Sequence, residues 1–262
     1  MSASTPVPSA APRLAVWRLL LRVWGVWYFI GFFGLYLVLW PFQAALLATG
    51  KGWGRRTAHG LNILWGHWVF LWGWCRLRVV RQAPLPPPPC IYAANHRSYM
   101  DIPAGHVALR RYFRYIAKQE LAKVPLFGYM YKRLHILLDR SSAGARARSL
   151  QQAAAALRGG DSLFIFPEGT TRHPDAYQLG AFQPGAFALA IKFNTPVVPI
   201  TLVGTSAMLS NDGKFWLRPF RTVTVVIHAP IIPNQLTLPS PEALSEAVRA
   251  VLQPTLDRYA NR

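Results

Sequence analysis

Two long uncharged stretches dominate the first third of the chain. No charged residue occurs from 23 to 50, and VWGVWYFIGFFGLYLVLW (23–40) is apolar or aromatic on every face. As a helix this core reaches roughly 27 Å, close to the hydrocarbon thickness of a bilayer. Trp24, Trp27, Tyr28 and Trp40 lie near its ends, where interfacial anchors belong. It is too long and too aromatic for a cleavable signal peptide. The second stretch, TAHGLNILWGHWVFLWGWC (57–75), is rich in Trp but holds His59, Asn62 and His67. Arg13, Arg18 and Arg22 precede the first stretch, and Lys51, Arg55 and Arg56 separate the two. Two complete spans would carry that second basic group to the far side, against the positive-inside rule. The pattern therefore predicts a helical pair within 13–83. It enters the membrane from the cytoplasmic side, with its second helix near the interface. Two ordinary transmembrane helices are the alternative. MSASTPVPSAAP (1–12), small and Pro-rich, predicts a disordered tail.

Beyond PLPPPP (84–89), a stiff extended spacer, the pattern changes. CIYAA (90–94), FRYIA (113–117), HILL (135–138), SLFIF (162–166), PVVPITLVG (196–204) and TVTVVIHA (222–229) read as strands. Helices are predicted over 101–112, 143–160, 185–194 and 240–253. Pro103 is tolerated in a first turn, Gly159 and Gly160 stop the second helix, and Ser240 with Pro241 starts the last. Alternating strands and helices predict an α/β domain over 90–262: a mostly parallel central sheet flanked by helices, with the N-terminal membrane-embedded pair attached. In such sheets reactive groups gather at the carboxyl ends of strands.

Composition narrows the partners. Hydrophobic residues make up 52% of the 262 and charged residues only 15%, which suits a membrane-associated protein. Lys and Arg number 29 against 10 Asp and Glu, a net charge of +19. The partner is thus negative: an anionic membrane surface, a phosphorylated substrate or nucleic acid. No nucleic-acid fold signature is present, and the aromatics concentrate in the apolar N-terminal part instead of interleaving with basic residues. A non-catalytic basic protein that binds membrane or nucleic acid rests on charge alone. Cys75 and Cys90 form neither a disulfide framework nor a metal-ligand spacing, and no Cys/His cluster suggests zinc.

Two constellations could carry chemistry. NHRSYMD (95–101) follows the strand 90–94. His96 and Asp101 are five residues apart, about 500° around an ideal helix, so they meet only if the chain turns between them. Asp101 would then fix the imidazole tautomer and leave the other nitrogen as a base. Ser98 and Asp101 also fit a helix-capping box, and the motif alone leaves both readings open. The two roles are compatible if Asp101 uses a different oxygen for each. FPEGTTR (166–172) follows the strand 162–166 and offers a carboxylate, a glycine, hydroxyls and an arginine, a composition able to hold an anion. A solvated turn is its plainer reading. His67 and His106 read as packed or structural, and Arg110, Arg111 and Arg114 as a membrane-facing or solvated basic patch.

Together, in this order and about seventy residues apart, the two motifs resemble those of the membrane-associated glycerolipid acyltransferases, in particular the bacterial 1-acyl-glycerol-3-phosphate acyltransferases. The resemblance covers about 90–230 and extends to AKQEL (117–121), VPLFG (124–128), LLDRS (137–141) and TPVVPITL (195–202). It implies His96 as general base and Asp101 as its orienting acid, with the acceptor hydroxyl attacking an acyl thioester directly. It places Asn95, Glu168, Gly169, Thr170 and Arg172 in substrate-binding motifs. Arg140 matches an arginine associated with acceptor phosphate, and Lys118 a lysine that binds phosphate or steadies the oxyanion. The family needs no metal and no bound cofactor. Acyl-CoA or acyl carrier protein is the co-substrate, lysophosphatidic acid the acceptor, and the cytoplasmic side of the cell's inner membrane the location. An acyltransferase for another lyso-lipid is the neighbouring reading. Thr171 stands where the family often has Arg, Gln183 where a basic residue is common, and Leu134 where a glycine is frequent.

Overall fold

The computed structural model describes residues 11–173, 175–210, 217–235 and 240–261. Most of the expected N-terminal tail (1–10) lies outside the described residues, and Ala11 and Pro12 already belong to a helix.

That helix, α1 (Ala11–Ala48), runs antiparallel to α2 (Gly52–Trp72). Indoles lock the pair. Trp65, Trp68 and Trp72 lie on one face of α2 and donate to the carbonyls of Phe32 (3.0 Å), Gly31 (2.9 Å) and Trp27 (3.1 Å). A Cβ on Gly31 would overlap the Trp72 indole, so glycine permits the close approach. At the other end Gln43 donates to Asn62 Oδ1 at 2.7 Å.

From Tyr28 to its C-terminus, one face of α1 packs on the rest of the protein. Tyr28, Tyr36 and Leu47 are buried, and they spread over about 28 Å at ~1.5 Å per residue. Tyr28 donates to Met100 Sδ, Tyr36 stacks on Phe127 at 4.0 Å, and the carbonyl of Ala44 accepts from Tyr129. The opposite face exposes Trp17, Val23, Val26, Ile30, Leu37 and Phe42, among others. The segment Leu19–Ala48 is long and apolar enough to cross a membrane.

The sheet has seven strands in the order β1-β7-β6-β2-β5-β3-β4. They are β1 (Arg76–Arg81), β2 (Ile91–Ala94), β3 (Phe113–Lys118), β4 (Ile136–Leu138), β5 (Ser162–Ile165), β6 (Val197–Val203) and β7 (Thr222–Ile227). Every neighbouring pair is parallel except β6 and β7. The expected mostly parallel sheet is present. Residues 76–81, grouped by the sequence pattern with the helical region, instead form edge strand β1. Alternation puts Arg76 and Arg78 outward and half-buries Leu77 and Val79, while Arg81, out of that phase, donates to Ala108 O at 2.9 Å.

Helices α3 (Asp101–Leu109), α4 (Phe127–Leu134), α5 (Ala143–Arg158), α6 (Gly185–Lys192), a single turn α7 (Thr205–Met208) and α8 (Pro241–Ala260) cover the sheet. Two cores result. One joins the α1–α2 pair and α3 to Tyr92, Phe113 and Phe164; the other joins α5, α6 and α8 to Ile91, Leu163 and Val197. His106 is buried in the first, against His59 and Phe113, as a structural reading expects. Arg114 is not part of a surface patch. It donates to the carbonyls of Leu134 and His135 at 3.2 Å, tying β3 to the end of α4.

Candidate active site

Four adjacent strands, β2, β5, β3 and β4, bring their carboxyl ends to one edge of the sheet. β2 leads into Asn95 and His96, β5 into Phe166 and Glu168, β3 ends at Lys118, and Arg140 follows β4. Segments distant in sequence therefore meet where parallel sheets place their sites.

Asn95 continues β2 by side-chain mimicry. Its amide donates to Leu202 O at 2.8 Å, and its oxygen accepts from Leu202 N at 2.7 Å. This anchor lies next to His96, and the chain turns through 97–100 into α3. Asp101, the first residue of α3, is wholly buried. Its Oδ2 lies 2.7 Å from His96 Nδ1 and accepts from the main-chain N–H groups of Arg97 (2.7 Å) and Ser98 (2.9 Å). One oxygen thus orients the imidazole and satisfies the turn, where the sequence suggested one oxygen for each. Oδ1 has no protein partner among the described residues. Half of the capping box forms, Ser98 N–H donating to Asp101; the return bond does not, since Ser98 Oγ accepts from Met100 N at 3.2 Å and Asp101 N–H goes to Ser98 O. With Nδ1–H held by the carboxylate, Nε2 is the free, basic nitrogen. The ring lies flat on Phe166, with centroids 3.9 Å apart and planes 14° apart, which fixes its tilt.

Glu168 is buried and its oxygens are fully engaged. Oε1 accepts from His96 N (3.0 Å) and Arg97 Nη1 (2.8 Å); Oε2 accepts from Gly180 N (2.7 Å) and lies 3.1 Å from His173 Nε2. Arg97 also donates to the carbonyls of Ala176 and Gln178. This clasp fastens the His96 turn to the loop after β5. Gly169 has φ of 66°, and a Cβ there would lie 2.7 Å from Arg140 Nη2. The missing side chain lets the guanidinium rest on the loop.

A cavity of about 660 Å³ opens beside His96. Lys118, Arg140, Arg146, Gly169 and Thr170 line it together with apolar Ile116, Leu138, Leu150 and Ile165. It joins a base, three cations and an apolar channel wall, a shape suited to an anionic amphiphile. Arg172 is exposed and absent from the lining; its N–H closes a turn on Thr170 Oγ1 at 3.1 Å. Of the sequence candidates, His96, Lys118, Arg140, Gly169 and Thr170 meet at the cavity, whereas Asn95 and Glu168 stand behind it. Sequence reasoning missed Arg97, His173 and Arg146. Arg146 is the one with a visible signal, a basic residue on the helix directly after LLDRS.

Among the described residues, no group of three or more His, Cys, Asp or Glu is gathered to hold a metal. Burial and neighbouring His59 hold His106 well below the usual imidazole range, and burial does the same to His135.

A His–Asp pair beside a cationic, apolar-walled cavity can take a proton from a hydroxyl of an anionic amphiphile, and comparison with known proteins places that chemistry in an acyltransferase. Residues 76–203 match the family model described as Acyltransferase. A 1-acyl-sn-glycerol-3-phosphate acyltransferase of Chlamydomonas reinhardtii is 30% identical over 97% of this chain and 77% of its own length. A chloroplastic enzyme of the same name from Arabidopsis thaliana is 29% identical over 75% of this chain and 55% of its own. The crystal structure of the 1-acyl-sn-glycerophosphate acyltransferase of Thermotoga maritima superposes with a TM-score of 0.72, at 27% identity, over 95% of this chain and 98% of that one. The chain belongs to the acyltransferase family.

Proposed function

We propose that the protein transfers a fatty acyl chain from acyl-CoA or acyl carrier protein to the free hydroxyl of 1-acyl-glycerol-3-phosphate, giving phosphatidic acid. The observation that carries the reading is the 2.7 Å His96–Asp101 pair at the mouth of a cavity holding Lys118, Arg140 and Arg146. The names of the relatives point the same way.

In this mechanism His96 Nε2 takes the proton of the acceptor hydroxyl as its oxygen attacks the thioester carbonyl. Asp101 stabilises the imidazolium that forms. The tetrahedral intermediate collapses with loss of the thiolate, which recovers the proton from His96. Arg140 and Arg146 hold the acceptor phosphate, and Lys118 faces the developing oxyanion or the phosphate. Thr170 offers a hydroxyl at the same wall. Asn95 and Glu168 position this machinery and do not touch substrate, and Arg172 contributes only long-range charge. The acyl chain lies along Ile116, Leu138, Leu150 and Ile165. Residues 90–262 with β1 form the catalytic domain.

α1 packs along the domain over about 28 Å, so it rests on the leaflet with its other face in lipid. A spanning helix would draw the domain into the hydrocarbon. The leaflet is the cytoplasmic one of the inner membrane, since both candidate donors are cytosolic.

The test is acyl transfer by purified protein in detergent or vesicles. It is offered labelled acyl-CoA and acyl carrier protein, with 1-acyl-glycerol-3-phosphate and phosphate-free lyso-lipids as acceptors. We expect transfer to the phosphomonoester and a loss of at least roughly a hundredfold in kcat for His96→Ala. Transfer only to phosphate-free acceptors would change the substrate, and transfer surviving in His96→Ala would remove the base.

A further inference from the structure

Among the described residues, five other than glycine have positive φ: Trp74 (51°), Arg110 (51°), Leu126 (62°), Asn194 (46°) and Phe220 (56°). Two are ordinary. Arg110 ends α3, and Asn tolerates this region. The other three are large apolar side chains, for which left-handed backbone is unfavourable. Burial does not compensate: Trp74 is 56% exposed, Leu126 38% and Phe220 74%. The turns set the backbone of two of them: Trp74 follows the C-cap of α2, where Cys75 N–H donates to Phe70 O and Trp74 N–H to Leu71 O, and Phe127 N–H donates to Pro125 O around Leu126. These turns could carry polar residues or glycine, yet all three positions hold large apolar side chains out in water.

All three border α1. The Trp74 ring lies 4.6 Å from that of Trp24, and the Phe220 ring 5.6 Å from that of Trp74. Phe220 N–H donates to Trp74 O at 3.1 Å, joining the two turns. Leu126 O accepts from Trp40 Nε1 at 3.2 Å. Trp24 and Trp40 stand about 24 Å apart along α1 at ~1.5 Å per residue, so the fringe flanks a long segment of the helix. Exposed Arg76, Arg218 and Arg221 surround the Trp74–Phe220 pair. Among the described residues none of these three is paired with a carboxylate.

We propose that Trp74, Leu126 and Phe220 form an apolar footing by which the catalytic domain itself enters an anionic phospholipid leaflet, with Arg76, Arg218 and Arg221 on the headgroups. The inference rests on the membrane placement proposed above and extends it from the helical pair to the domain. Two features select the occupant. The fringe continues the exposed apolar face of α1, and its arginines complement anionic lipid. Leu126 lies in the turn before α4, between cavity-lining Leu121 and Tyr131 in the chain, so this footing also ties that side of the cavity to the leaflet.

The experiment uses the full chain in vesicles of phosphatidylcholine, with or without phosphatidylglycerol. Phe220→Cys is labelled with an environment-sensitive fluorophore; Cys75 and Cys90 are buried and spared. Glu246→Cys on α8, across the sheet, is the control. Brominated acyl chains should quench the label at 220 about twofold or more and leave the label at 246 unchanged, with stronger quenching when phosphatidylglycerol is present. Water-like, unquenched emission at 220 overturns the proposal. A second arm combines Trp74→Asn with Phe220→Gly, residues that accept the left-handed backbone. Thermal stability should hold or rise, and transfer to a vesicle-borne acceptor should fall about tenfold. Transfer to a water-dissolved short-chain acceptor should stay unchanged. Equal loss on both acceptors, or self-association that this variant abolishes, overturns the proposal in favour of a packing role or a second copy of the chain. If the wild type transfers to neither acceptor, the acyltransferase reading fails while the quenching result stands.

Discussion

Replacing Glu168 with Gln tests whether that carboxylate positions the site or binds the substrate. The substitution keeps the shape and removes the charge. Arg97, 5% exposed, would lose its buried counter-ion. One side-chain atom must then become an NH2 group. If it faces Gly180 N and His173, donor meets donor where an oxygen now accepts at 2.7 Å. If it flips, the conflict moves to His96 N and Arg97 Nη1. Breaking a buried pair by removing one partner costs about 3–5 kcal/mol, and the amide oxygen that remains recovers part of it. A net loss of about 3 kcal/mol corresponds to a fall in Tm of roughly 6–12 °C for a domain of this size. Because His96 N–H is one of the donors, the catalytic turn loosens and kcat falls, with KM for the acceptor little changed. Thermal unfolding in detergent and steady-state transfer kinetics read the two effects separately. An unchanged Tm with a raised acceptor KM would refute the positioning argument and make Glu168 a substrate ligand.

Gly169→Ala should force the left-handed backbone and push Arg140 away, costing about 1–2 kcal/mol in stability and raising acceptor KM; wild-type KM would refute the contact. Arg140→Ala should raise KM for a phosphate-bearing acceptor roughly tenfold or more, whereas Arg172→Ala should change it less than about threefold; the reverse order in parallel titrations would place Arg172 in the site. Stability should fall between pH 7 and pH 5. His106 and His135 stay neutral in the fold well below the unfolded value of about 6.5, and burial lowers His228 to about 4. Below pH 6.5 the unfolded chain binds protons that the folded chain refuses, so each histidine removes about 1.4 kcal/mol per pH unit. Urea midpoints at the two pH values check this, with His228→Gln shrinking the loss and pH-independent midpoints refuting it.

Much of this molecule is legible in the chain, and the illegible parts share a cause. Apolar runs bounded by turn residues mark β2 to β7 because buried parallel strands need them, and the spacing of His96 and Asp101 already demands a turn. β1 is hidden because its arginines at 76, 78 and 81 resemble the basic flank of a membrane helix. Strand order is not encoded locally: nothing near Cys90 says that β2 lies between β5 and β6. Asn95 and Glu168 resemble ligands in sequence because they adjoin the reactive residues. Only the fold reveals that Leu202, 107 residues away, and Gly180 have already taken their hydrogen bonds. Arg146 and Arg172 exchange places for the same reason, since α5 carries one to the cavity wall and the loop leaves the other exposed.

The pairing of β1 with β7 sets an order of events during synthesis. Among the described residues, the first strand of the sheet finds its only neighbour in the last, Arg76 opposite Thr222. The α1–α2 hairpin is closed by contacts within its own first seventy-odd residues, so it leaves the ribosome complete and can reach the bilayer while the sheet is unfinished. Until the final third of the chain emerges, β1 has no partner and β6 has an open edge. Its outward arginines make β1 a poor template for pairing with another chain during that wait. The hairpin is therefore formed first and the sheet closed last, and a chain cut short before β7 would carry its apolar hairpin without completing its sheet.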